Sequence, residues 1–172
     1  MSNNFNTNIG NKEEWLTNPK LINALGKFDL DPCYLKPEER PWDTANFMFY
    51  KDFWNDGLKQ DWIGRIWLNP PYGSQAFKWI ERLSNHGNGI ALIFTRTETK
   101  GFHEFIFNRA DGIFFFKGRL KFFYKSGVEA KNAANAPSCL VAYGVQNMWA
   151  IKDAKLNGKL VWLKPEPMFR IN

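Results

Sequence analysis

The clearest hydrophobic pattern lies in the middle of the chain. Ile66-Trp67-Leu68 is a short unbroken apolar run, as in a buried strand. Asn69-Pro70-Pro71-Tyr72-Gly73 halts it, because proline cannot continue a sheet ladder. Ala76 to Leu83 then carries apolar residues at helical spacing, so the segment predicts strand, rigid turn, helix. Gly89 to Phe94 predicts a buried parallel strand, Asp111 to Phe116 another strand, and Cys139 to Gly144 a final buried strand.

Other segments are patterned more weakly. Thr17 is placed to cap a helix that has Pro19 in its first turn and ends at Gly26. Alternation of Phe28 and Leu30 predicts a short strand that Asp31-Pro32 ends. Residues 34 to 62 have little periodicity and predict loop, with one strand near Phe47 to Tyr50. Phe102 to Phe107 has helical spacing. Gly118 to Tyr124 predicts one arm of a hairpin that turns at Ser126-Gly127. Residues 146 to 172 predict a peripheral helix and strand. The Asn-rich residues 1 to 12 are expected to be a flexible arm, with a single domain over 13 to 172.

Composition narrows the class. The 172 residues suit one core. Aromatic residues make up 17%, with 8 Trp and 16 Phe, which leaves rings to stack on bases after the core is filled. The net charge of +6 favours a polyanionic partner. Cys33 and Cys139 belong to no Cys-x-x-Cys pair and His103 has no second ligand nearby, so no metal is expected. Nothing approaches the apolar length of a membrane span, and the polar start has no signal core. A cytoplasmic protein with reduced thiols is expected.

The turn after Leu68 carries the chemistry. The exocyclic amine of a purine is a poor nucleophile, because its lone pair is delocalised into the ring. Acceptors at Asn69 Oδ1 and the Pro70 carbonyl can hold its two N–H groups and favour tetrahedral character at nitrogen. Pro71 stiffens the turn, and Tyr72 can stack on a base taken out of its helix.

Asn69-Pro70-Pro71-Tyr72 resembles the catalytic motif of amino-methyltransferases. The ordered set of Glu14 to Pro19, Phe28 to Cys33, Asp56-Gly57-Leu58 with Trp62, this motif, and Gly118 to Phe122 resembles the phage Dam-type DNA N-6-adenine methyltransferases. The resemblance spans roughly residues 13 to 145. It implies a compact, trimmed Rossmann-like α/β fold with a mixed, mostly parallel sheet. It also implies S-adenosyl-L-methionine as cofactor and double-stranded DNA as partner, with a part in protecting phage DNA from restriction.

Residue by residue, the resemblance places Trp15, Thr17, Asp31, Pro32 and Asp56 at the cofactor. It places Arg119, Lys121 and Asn135, with Ser138, near the target base or its phosphates; Arg96, in the polar cluster at the sheet's carboxyl edge, can contact a phosphate or pair with a carboxylate. Trp54 or Trp62 can flank the cofactor's adenine; for Trp62, core packing is the stronger alternative. One departure stands out. No glycine-rich loop follows Asp31, and the stretch to Asn69 is too short for two strand–helix units. Two alternatives remain: transfer to RNA or a protein glutamine, or a non-catalytic DNA-binding protein on a methyltransferase scaffold.

Overall fold

The structure, a computed structural model, describes residues 15–50, 56–71, 73 and 75–165. The expected arm, Trp54 and Tyr72 lie outside the described residues.

Seven strands form one sheet: β1 (Leu30–Tyr34), β2 (Phe47–Tyr50), β3 (Ile66–Leu68), β4 (Gly89–Phe94), β5 (Gly112–Phe116), β6 (Ser138–Tyr143) and β7 (Gly158–Trp162). Their order is β2-β1-β3-β4-β6-β5-β7. Pairing is parallel from β2 to β4, then antiparallel through β6, β5 and β7. This is the mixed α/β sheet that the resemblance implies. Both directions serve one end: β1, β3, β4 and β5 finish at the edge where β6 and β7 begin.

Side-chain alternation fills both faces. Ile66 and Leu68 of β3, Ala91 and Ile93 of β4, and Val141 of β6 pack beneath Trp79, Ile80 and Leu83 of helix α2 (Ala76–His86). A π-helical turn, Phe102–Phe107, adds Phe102 and Ile106 to that layer. On the other face Trp67, Ile90, Leu92 and Leu140 meet Leu21 and Ile22 of helix α1 (Pro19–Ala24) and Met148 and Ile151 of helix α3 (Val145–Asp153).

Three expectations are corrected. The cap of α1 is Asn18, whose side chain accepts from Lys20 N at 2.9 Å; Thr17 is buried one residue earlier. Strand β1 does not stop at Asp31-Pro32 but continues to Tyr34, with an irregular register against β2 between Asp31 and Tyr34. Phe28 and Leu30 pack into opposite layers, because Asp29 turns the backbone between them through Arg65.

The shortened first half is explained by the crossover from β1 to β2. Residues 35–46 form it with only a single 3-10 turn at Pro37–Glu39. After β2 the chain passes to the other side of β1 to make β3. The carboxyl ends of β1 and β3 therefore flank the point where strand order reverses, the crevice that binds ligands in open α/β sheets.

Candidate active site at the carboxyl ends of β1 and β3

Asn69 is the first residue beyond β3. Its Nδ2 donates to the Trp15 carbonyl at 3.2 Å, which fixes the amide plane and makes Oδ1 its acceptor end. The Asn69 carbonyl receives the Cys33 thiol at 3.4 Å, joining the tips of β1 and β3. Pro70 is buried, and Pro71 is exposed. Gly73 takes φ +112, a conformation few side-chain-bearing residues adopt, and releases the chain toward α2.

Trp15 is positioned from a distance in sequence. Leu16 exchanges two backbone hydrogen bonds of 2.9 Å with Phe123, and the Trp15 ring lies 5.2 Å from Tyr124. The hairpin expected near Ser126-Gly127 is present, held by Tyr124 N to Val128 O and Ala130 N to Phe122 O. It is made of isolated bridges rather than a regular strand over Gly118–Tyr124.

Asp31 lies on the β1 side and is 1% exposed. Thr44 Oγ1 donates to its Oδ2 at 2.6 Å, and Cys33 N donates to Oδ1 at 3.1 Å. Burial pushes the carboxyl up to about 7, and the bonds from Thr44 and Cys33 partly offset this. The Cys33 thiol is pushed up as well, by burial and by the Asp31 charge, and is no nucleophile.

Where a glycine-rich loop is lacking, a different glycine makes the close approach. A Cβ on Gly57 would overlap the Pro32 carbonyl oxygen, so the segment from Asp56 lies against the end of β1. Asp56 folds into an Asx turn, with Oδ1 accepting Leu58 N at 3.1 Å, and Lys59 Nζ sits 3.6 Å from Oδ2. Trp62 packs as core: its Nε1 donates to the Gly57 carbonyl at 2.7 Å and its ring stacks on Trp79. Arg82 covers that ring and donates to the carbonyls of Leu58 and Gln60. The loop bearing Asp56 is thus fixed by the core.

The remaining expected residues divide. Arg96 is exposed at the same edge, two residues beyond β4. Arg119 braces its own neighbourhood, donating to the Ala134 and Asn135 carbonyls at 3.3 and 2.8 Å. Lys121 is 3.6 Å from Glu129, both half-exposed, and Asn135 is exposed. Ser138 begins β6 opposite Phe94 and is buried. Two buried hydroxyls at this edge, on Thr17 and Ser138, have no hydrogen-bond partner among the described residues, while the Thr95 hydroxyl meets the Cys139 thiol. Cys33 and Thr44 are the site residues that sequence reasoning missed. Their roles come from long-range contacts inside a stretch without periodicity.

The groups present suit a cationic cofactor in the reversal crevice. Two carboxyls, Asp31 and Asp56, flank the end of β1, an amide ends β3, and the Asp31 carboxyl is raised into the range where a nearby cation would draw off its proton. Among the described residues there is no cluster able to hold a metal ion, and no helix long and apolar enough to cross a membrane.

No curated protein and no solved structure matches the chain. Residues 4–152 match the family described as DNA N-6-adenine-methyltransferase (Dam). That match includes the β1 and β3 tips, the Asp56 loop, the Trp15 segment and the hairpin, and the chain belongs to this family of DNA adenine methyltransferases.

Proposed function

We propose that the chain transfers a methyl group from S-adenosylmethionine to N6 of an adenine swung out of duplex DNA. The observation that carries this is the placement of Asn69: at the strand-order reversal, its amide held by Trp15 so that the acceptor end is defined. Asn69 Oδ1 and the Pro70 carbonyl each accept one N–H of the target amine. Holding both hydrogens orients the nitrogen lone pair toward the incoming carbon, a positioning effect. Tyr72 stacks on the extruded ring. When bound, the cofactor supplies a methyl made electrophilic by its sulfonium.

Asp31 and Asp56 receive the cofactor's positive and N–H groups, and Trp15, Thr17 and Pro32 border it. With the cofactor bound, its sulfonium would supply the positive charge that the methylated amine sheds as a proton, while Asn69 and Pro70 would keep the amine in place. Arg96 and Asn135 serve the DNA around the target, and Arg119 and Lys121 hold the loop and the hairpin beside it. The activity is site-specific and belongs to phage DNA modification. Labelled methyl transfer to unmethylated duplex DNA, RNA and protein, with the modified nucleoside identified, tests this. N6-methyladenine in DNA is expected; label in RNA or on glutamine would move the acceptor, and no transfer to any of them would overturn the proposal.

A further inference from the structure

At the carboxyl edge of the sheet a groove of about 410 Å³ opens between α1 and the segment that follows β5. Its lining is strongly cationic: Lys20, Lys117, Arg119 and Lys121 against a single acid, Glu129. Glu129 is already paired with Lys121, and Arg119 donates through Nη1 to the Ala134 and Asn135 carbonyls. Lys20 and Lys117 are exposed and have no side-chain hydrogen bond or ion pair among the described residues. A second groove of about 380 Å³ shares Phe116, Lys117 and Asn157 with the first and adds Lys159, so the cationic path runs on toward β7.

Two further observations tie this groove to the candidate site. Thr17, two residues from Trp15, lines it. Phe122, also in the lining, adjoins Phe123, whose backbone holds Leu16 beside Trp15. One wall of the groove is therefore the same segment that grips Asn69.

We propose that this groove seats the sugar–phosphate backbone of the DNA flanking the target adenine, with Lys20 and Lys117 as its phosphate contacts and Lys159 extending the track. The inference rests on the methyl-transfer proposal only for which nucleotide lies next door. The groove itself is assigned from its charge and from the 15–18 segment, which borders it at Thr17 and Asn18 and holds Asn69 through Trp15. Arg119 and Lys121 act on it differently, by holding the 132–138 loop and the hairpin in shape.

The test is fluorescence anisotropy of the whole chain on a labelled unmethylated duplex across a salt series. Lys20→Ala/Lys117→Ala is expected to weaken binding and to reduce the slope of log affinity against log salt by about two, one per lost phosphate contact. Lys27→Ala/Lys78→Ala removes equal charge from exposed positions outside the groove and is expected to leave the slope in place. Lys20→Arg/Lys117→Arg should keep it too. An unchanged slope in the first variant, an equal loss in the second, or tighter groove-dependent binding of single-stranded RNA would overturn the inference. Groove-dependent DNA binding without methyl transfer would sink the catalytic proposal and leave the groove standing. Methyl transfer with groove-independent binding would do the reverse.

Discussion

The two ends of the sheet carry polar groups to opposite effect. At the amino end, Arg65 donates to Asn147 Oδ1 at 2.6 Å and to the carbonyls of Lys27 and Leu25 at 2.8 and 2.9 Å, over the Phe28 ring. Asn147, fully buried, donates in turn to Asn88 Oδ1 and the Tyr143 carbonyl. Each group answers another, as buried polar networks must if they are to stabilise. At the carboxyl end, hydroxyls on Thr17 and Ser138 are buried without partners among the described residues, and Asp31 is buried with its carboxyl raised to about 7. An end that leaves such groups unanswered is less stable than it could be, and retaining them makes sense where a ligand completes them. The fold is held at one end and kept ready for chemistry at the other.

Substitutions sharpen that contrast. The largest effect belongs to Asn69→Ala. Methyl transfer should fall by about two orders of magnitude or more, as when a positioned hydrogen-bonding group leaves a transition state. The cost to stability should be small, since Asn69 is only half-buried. At the other end Asn147→Leu should show the opposite split. It strands the Arg65 Nε donor and the bonds to Asn88 and Tyr143, at a cost of about 2–4 kcal/mol in denaturant unfolding. Activity per folded molecule should be retained. A catalytic defect in Asn147→Leu as deep as that of Asn69→Ala would erase the distinction.

Asp31 gives a pH signature. Its carboxyl is raised above the unfolded value by burial, so the folded state holds the proton more tightly. Stability from this group is full below the unfolded pKa and is lost as pH rises toward about 7. The decline is at most about 1.4 kcal/mol per pH unit. Asp31→Asn should abolish that decline and leave a protein as stable or more so above pH 7. The same variant should bind the cofactor less well, if its carboxylate meets the cofactor's ammonium. Unfolding series at several pH values, beside calorimetric cofactor titration, separate the two effects.

The smallest effect is expected from Ser138→Ala. Removing a buried hydroxyl without a described partner should be neutral or stabilising by up to about 1 kcal/mol, readable as a rise in melting temperature. A loss of stability would mean the hydroxyl is already satisfied and would weaken the case for an unanswered carboxyl edge.

Legibility in the sequence followed periodicity. Ile66–Leu68, Gly89–Phe94 and the α2 segment could be read because apolar runs and helical spacing are local signals. Asn69 could be read because a Pro-Pro turn fixes its setting. Thr and Asn both suit the cap position, and Asn18 takes it because it sits one residue nearer Pro19. The continuation of β1 through Pro32 was hidden because proline usually ends a ladder; here an irregular register against β2 accommodates it. Thr44, Cys33 and the Pro32–Gly57 approach depend on contacts between distant segments, which leave no period in the chain. Arg119 was legible as a basic residue near the site, but its commitment to the 132–138 loop shows only in three dimensions.

The most direct test compares Asn69→Ala with the unaltered chain in one assay. Labelled S-adenosylmethionine and unmethylated duplex DNA are supplied, N6-methyladenine is quantified, and unfolding midpoints are measured alongside. The account predicts N6-methyladenine from the unaltered chain, nearly none from the variant, and closely similar midpoints. Full methylation by a folded Asn69→Ala protein would contradict it.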